Sequence, residues 1–332
     1  MTVILMEGFD HLSAAQLNTY KAWSTINAVT TGRITGQSAT FVNNNIVTSG
    51  HALPTSYSEI ICGFGFYTPT IPADEYFAFI GGSTKVARLN LVTSGPNMVF
   101  RLTNSAGTTL ATGTTSILAN TWYYVEVRVV VHASTGTVEL RLNGSGSAEC
   151  SGTGLNTGST NIDRVSWGTA NSQSQRVDDV YVIDPNTGSS PTNTWLGDAR
   201  VETLVPNGNG ANTAWTGVYT DWDDTTSSDD DTTYASSATP GDRETSTLTD
   251  LASAGTVFAV QTNLIARKDD AGARTIAPVI RISGVNYDGT TSAGMTTSYL
   301  DYTQLYDRLD PAGNAWTKTT IDAMEAGAKE VA

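Results

Sequence analysis

The chain has 332 residues, 18 basic and 32 acidic, for a formal net charge of −14. Only 15% of residues are charged, against about 25% in ordinary globular chains, and 52 threonines and 31 glycines supply much of the missing polarity. An acidic chain with five lysines lacks the field needed to grip a phosphate backbone, which argues against nucleic acid and anionic membranes as partners; no apolar run approaches the ~20 residues that cross a bilayer. Thr favours strands, while Gly, Asn and Ser favour turns. The composition therefore points to an all-β chain, and the length to two domains of roughly 150 residues each.

Met1 to Met6 reads as a first strand and not as a signal peptide, because Glu7 and Asp10 follow and no basic flank precedes it. Ser13 to Trp23 is a helix candidate with Ser13 as its cap. Strand candidates then come at short spacing: Glu59 to Tyr67, Tyr76 to Ile80, Val86 to Val92, Asn97 to Leu102 and Ser116 to Leu118. Trp122 to Val131 is the strongest, with Tyr123, Val125, Val127, Val129 and Val131 on one face and Glu126 and Arg128 on the other, expected solvated, face. Val138 to Leu142 continues the alternation and forms a hairpin with it, bringing Glu126 and Arg128 diagonally toward Arg141 and Glu139. Ile162 to Trp167 and Arg176 to Ile183 complete a set typical of a sandwich or barrel. Cys62 reads as a buried small hydrophobe and Cys150 as a loop residue, with no disulfide between them.

Residues 184–194 break the pattern with two prolines and place the domain boundary at 190/191. The second domain, 191–332, opens with Asp198 to Val205 and passes into a polar tract. Residues 198–250 hold 11 acidic and 2 basic residues, a net of −9. Thr256 to Arg267 and Arg274 to Gly284 resemble a long hairpin, and Met295 to Leu309 one or two strands. Thr317 to Ala326 reads as a terminal helix stopped by Gly327.

Catalytic signatures are missing. No nucleophile elbow, zinc spacing or nucleotide-binding loop is present, and the strong strands offer no paired carboxylates of the kind glycoside hydrolysis needs. Calcium, which takes six to eight oxygen ligands, has two candidate places. One combines Glu7 or Asp10 with Asp178 and Asp179, on the expectation that the first and last strands of the first domain pair. The other is the 221–231 acidic tract, whose plainer reading is a solvated, self-repelling loop. Trp222, between Asp221 and Asp223, is the tryptophan best placed for stacking on a sugar; Trp122 and Trp167 are expected in or at the rim of the core.

Thr121-Trp122-Tyr123-Tyr124-Val125-Glu126-Val127, the Leu142-Asn143-Gly144 tip and Val177-Asp178-Asp179-Val180-Tyr181-Val182 resemble concanavalin A-like, laminin-G-type jelly-roll modules over residues 1–190. Leu196-Gly197-Asp198-Ala199-Arg200-Val201, Leu204-Val205-Pro206-Asn207-Gly208, Ala266-Arg267-Lys268-Asp269-Asp270-Ala271-Gly272 and Asp310-Pro311-Ala312-Gly313-Asn314-Ala315-Trp316-Thr317 are similar to structural proteins of tailed bacteriophages with such a front half. The resemblance implies two tandem antiparallel β-sandwiches, the second with a short terminal helix. It implies a non-enzymatic virion protein, assembled in the host cytoplasm among other virion proteins and as a homo-oligomer, tail- or fibre-associated, whose front domain either binds host cell-surface glycan or acts only as a spacer. The alternatives are a capsid decoration or head-fibre protein and a surface-polysaccharide-degrading enzyme. No membrane insertion is expected.

Overall fold

The computed structural model describes residues 3–42, 46–47, 49–169, 174–188 and 193–332. The chain is all-β with short helices, and it divides into two compact units. One combines Met1–Phe9 with Ala22–Val201, the other Asp10–Lys21 with Glu202–Ala332. The boundary expected at 190/191 lies outside the described residues; the units part at 201/202, and the second takes a piece from near the start of the chain.

The first unit has two antiparallel sheets. The larger contains β1 (Val3–Glu7), β2 (Ala28–Thr31), β3 (Gln37–Val42), β5 (Glu59–Tyr67), β10 (Tyr123–Val130), β11 (Gly136–Leu142), β12 (Cys150–Leu155) and β14 (Ser174–Ile183). Its order is β12-β11-β10-β5-β14-β3-β2, with β1 also alongside β14. The smaller runs β4 (His51–Tyr57), β13 (Ile162–Trp167), β6 (Asp74–Gly81), β7 (Thr84–Ser94), β8 (Asn97–Asn104), β9 (Thr109–Thr112). The inward positions of both alternate with period two, as a sandwich requires. Phe64 meets Phe77 and Trp167 across the interface, with ring centroids 4.9 and 5.5 Å apart. Phe66 meets Tyr76 and Phe100 at 5.3 and 5.4 Å. All six rings are almost wholly buried, and each buried aliphatic or aromatic side chain contributes about 1.5–3 kcal/mol. The expected β10–β11 hairpin forms in register, with Glu126 opposite Arg141 and Arg128 opposite Glu139. The ion pairs differ from the expected diagonals: Arg128 binds Glu59 and Arg141 binds Glu139 on its own strand. Ser116 to Leu118 is not a strand. Cys62 and Cys150 are free and buried, but Cys150 begins β12 instead of lying in a loop.

The second unit is built on one five-stranded sheet of β15 (Pro206–Thr213), β16 (Arg243–Leu248), β23 (Glu325–Glu330), β19 (Ile276–Ile282) and β20 (Val285–Asp288), in that order. Two short ladders accompany it: β17 (Val260–Thr262) with β22 (Gln304–Tyr306), and β18 (Ile265–Ala266) with β21 (Leu300–Asp301). The expected 256–267/274–284 hairpin therefore does not form, because β19 turns back immediately on β20. Ile280, Ile282, Trp316, Ile321 and Met324 form the core, with Leu251, Val260 and Tyr306 packed against it. Helix α1 (Ala14–Tyr20) carries a full Ser13–Gln16 capping box. Helix α2 (Lys318–Asp322) is capped by Thr317 and ends sooner than the expected 317–326. Gly327 does not stop a helix: it lies in β23, where a Cβ would sit 1.9 Å from the Glu244 carbonyl oxygen. The first strand of this unit's sheet, β15, begins at Pro206.

Gly63, on the outer face of the larger sheet, lies under the Tyr181 ring; a Cβ there would fall 2.2 Å from Cε1. Gly63→Ala is expected to destabilise the first unit by roughly 1–3 kcal/mol through overpacking. Urea denaturation followed by tryptophan fluorescence reads the change, and an unaltered midpoint would contradict this tight packing.

Candidate functional site

Strand β14 carries the first candidate residues. Its start pairs with β3 and its end with β1, while β5 runs along the opposite edge. The β14–β5 register shifts between Asp178 and Tyr181, and Asp179 is left-handed at φ +51°. This is a β-bulge, which re-aims side chains. Both carboxylates meet Arg33 from the β2–β3 connection. The Arg33 backbone N–H donates to Asp178 Oδ2 at 2.6 Å, and its Nε donates to Asp179 Oδ2 at 2.8 Å. Asp178 Oδ1 accepts from the Asp179 N–H, and Asp179 Oδ1 from the Val201 N–H, each at 2.8 Å. The rest of the guanidinium reaches Asp198 and the Ala199 carbonyl and lies over the Tyr124 ring.

A second buried acid lies on the same face. Glu126, expected on a solvated face, is 1% exposed. Residues 195–201 pass over it: the Tyr181 hydroxyl and the Gly197 N–H both donate to Glu126 Oε1, and the Tyr181 oxygen accepts from the Leu196 N–H. Trp195 stacks under Arg141, 4.4 Å from ring centre to guanidinium carbon. Burial pushes the carboxyls of both Glu126 and Asp179 above their ordinary values, and the donors around them reverse only part of that rise.

The expected calcium set is not brought together within one unit: Asp10 belongs to the second, Asp178 and Asp179 to the first. Glu7 does lie opposite Val180, so the first and last strands pair as anticipated. The oxygens of Asp178 and Asp179 accept from N–H donors and a guanidinium. Among the described residues, no group of three or more His, Cys, Asp or Glu side chains is arranged to hold a metal. In the acidic tract, burial and the repulsion of Asp229, Asp223 and Asp230 push the Asp224 carboxyl up, but several of these acids also have donors. Asp221 accepts from the Val218 N–H, Asp224 from the Asp229 N–H and Asp230 from the Tyr20 hydroxyl, while Asp231 binds Arg267 and Tyr299. Trp222 lies in this region, half-buried, with an indole N–H that is buried and without a hydrogen-bond partner. Trp167 is fully buried, and Trp122 is half-buried against Tyr67, which also stacks on Arg176.

An open concavity lies on the outer face of the smaller sheet. With Leu89, Leu91 and Leu102 turned into the core, Arg88, Asn90, Arg101 and Thr103 face outward. Register aligns Glu75, Asn90 and Arg101 across β6, β7 and β8. They line a groove of about 320 Å³, near the lower end of the range for small-ligand sites. Lys85 and Arg88 bind Glu75 at 2.9 and 3.4 Å. Arg88 is further tied to the Asn104 carbonyl. Asn90 Nδ2 donates to Thr103 Oγ1 at 3.0 Å, which leaves Asn90 Oδ1 as an acceptor and the Thr103 hydroxyl hydrogen as a donor. None of these residues was singled out from the sequence. The usable signal was the polar member of each alternating pair within Val86 to Val92 and Asn97 to Leu102.

No protein-family model matches the chain, and no curated protein matches it. Among solved structures, the chain is similar to domain 4 of AbnA, a GH43 extracellular arabinanase from Geobacillus stearothermophilus, in complex with arabinotriose. That likeness has 16% identity and a TM-score of 0.33 and covers 49% of this chain and 80% of that one. It is also similar to the cellulose induced protein Cip1, at 13% identity and a TM-score of 0.30, over 47% of this chain and 84% of that one. For peanut lectin with a 9mer peptide the values are 13%, 0.30, 47% and 88%.

Two predictions test the buried network. Arg33→Met leaves Asp179 buried without its cation and is expected to cost roughly 3–5 kcal/mol, read as a fall in the urea midpoint. Burial holds the folded-state pKa of Glu126 above its ordinary 4.5, so the unfolded chain ionises first and stability is lost as pH rises from that value through the raised folded-state pKa. Glu126→Gln removes this titration. Wild-type stability relative to Glu126→Gln should therefore decline with rising pH over that window; a constant difference would refute the assignment.

Proposed function

We propose that the chain is a non-enzymatic glycan-binding structural protein, with its binding surface in the groove on the smaller sheet of the first unit. The observation that carries this reading is the alignment of Glu75, Asn90 and Arg101 across three adjacent strands, with Thr103 beside them. Hydroxyl-rich ligands need donors and acceptors at fixed spacing, and a sheet face holds such groups more rigidly than loops do. The virion placement, tail- or fibre-associated, rests on the sequence resemblance of the segments beginning at Leu196, Leu204, Ala266 and Asp310. Mass spectrometry of purified particles of a phage that encodes the chain tests it: many copies per particle are expected, and none would end that placement.

A hydrolase would take its carboxylates from Asp74 and Glu75, which both line the groove. Glu75 is already paired with two cations, which favours binding over catalysis. Incubation with bacterial surface polysaccharide should release no oligosaccharide. On a glycan array the protein should bind, and a parallel chelator arm decides whether calcium takes part. Asn90→Ala and Thr103→Val should each weaken binding roughly three- to tenfold, the equivalent of one neutral hydrogen bond. Unchanged affinity in both would remove the groove from consideration.

A further inference from the structure

We infer that the groove selects glycans carrying a carboxylate, with Arg101 as the anion anchor. This rests on the glycan reading of the groove and specifies its ligand class. Two bases, Arg88 and Arg101, and two acids, Asp74 and Glu75, line the groove, with Lys85 paired to Glu75, and they do not contribute equally. Lys85 and Arg88 both bind Glu75, and Arg88 is also held by the carbonyls of Asn104 and Ser105. Asp74 Oδ1 accepts from the Glu75 N–H at 2.8 Å. Arg101 differs from the other two cations. It lines the same groove, its Nε is buried with no hydrogen-bond partner, and it is half-buried within β8.

A buried guanidinium nitrogen without an acceptor is costly. The guanidinium as a whole has the planar fork that recognises a carboxylate through two parallel N–H···O bonds. Asn90 and Thr103 stand beside it in the ladder: Asn90 is directly opposite Arg101 on β7, and Thr103 is two positions further along β8, so both project from the same face. A sugar acid presents the matching set, one carboxylate for Arg101 and neighbouring hydroxyls for Asn90 Oδ1 and Thr103. The chain as a whole carries −14, so long-range electrostatics would not by themselves draw such a ligand. Selection falls to this local pairing.

The test compares oligogalacturonate, oligoglucuronate and sialyllactose, each with its methyl ester, by isothermal titration calorimetry on the full chain and on Arg101→Met and Arg101→Lys. At least one free acid is expected to bind roughly ten- to a hundredfold tighter than its ester. Arg101→Met should abolish that preference while ester binding persists. Arg101→Lys should restore only part of it, because an ammonium cannot make the two-pronged contact. Equal binding of acid and ester would overturn the anion anchor and leave the glycan reading intact. Failure of every acid and ester to bind, together with an empty glycan array, would overturn both. A preference for acid that survives Arg101→Met in a variant with wild-type circular dichroism would place the anion contact elsewhere.

Discussion

Strand β14 pairs with β5 along one edge and with two different strands, β3 and β1, along the other. A regular ladder cannot change partners without a local irregularity, and here the irregularity is the bulge at Asp178 and Asp179. It places two acids where an alternating strand would present one. Acids buried on a sheet are costly unless their oxygens find donors. Arg33 and the N–H groups of Asp179 and Val201 supply those donors, and the 195–201 segment is held over the sheet as a result. Gly63 and Gly65 fit the same constraint, since they leave room on β5 for the Tyr181 ring and the Arg33 stem.

The sandwich thus has two unlike outer faces. On the larger sheet, buried polar groups are closed over by the chain's own backbone, so their chemistry is structural. On the smaller sheet, the groove at Asn90 and Arg101 has no such cover. The same kinds of side chain, an arginine with acids and amides nearby, serve as an internal clamp on one side and as an open surface on the other. What separates the two is whether a segment of backbone supplies the missing hydrogen bonds.

The sequence revealed the first unit well because its strands bury one face and expose the other. The β10–β11 hairpin and the aromatic run of β5 follow directly from that alternation. Less was legible where strands carry little apolar character. Strand β15, Pro206 to Thr213, is built of Gly, Asn and Thr and reads as turn chemistry. The five residues of α2 share a segment with the start of β23, so one apolar pattern spanned two elements. Glu126 was legible as outward-facing, but its burial depends on residues some seventy positions away that have no strand or helix signal. The groove residues were visible only as the polar half of an alternation, a signal shared by every solvated sheet face; their significance comes from the register that sets Glu75, Asn90 and Arg101 side by side.

Helix α1 belongs to the second unit although residues on both sides of it belong to the first. Gln16 donates to the Ser228 carbonyl and Tyr20 to Asp230, while Lys21 pairs with Asp301. In chain order this helix precedes nearly all of the first unit's sandwich, yet its partners all follow that sandwich. The helix must therefore wait without those partners while the intervening sandwich is synthesised. A fragment cut cleanly at the unit boundary would lack an integral part of the second unit, so dissecting this chain into independent pieces calls for a permuted connection and not a simple truncation.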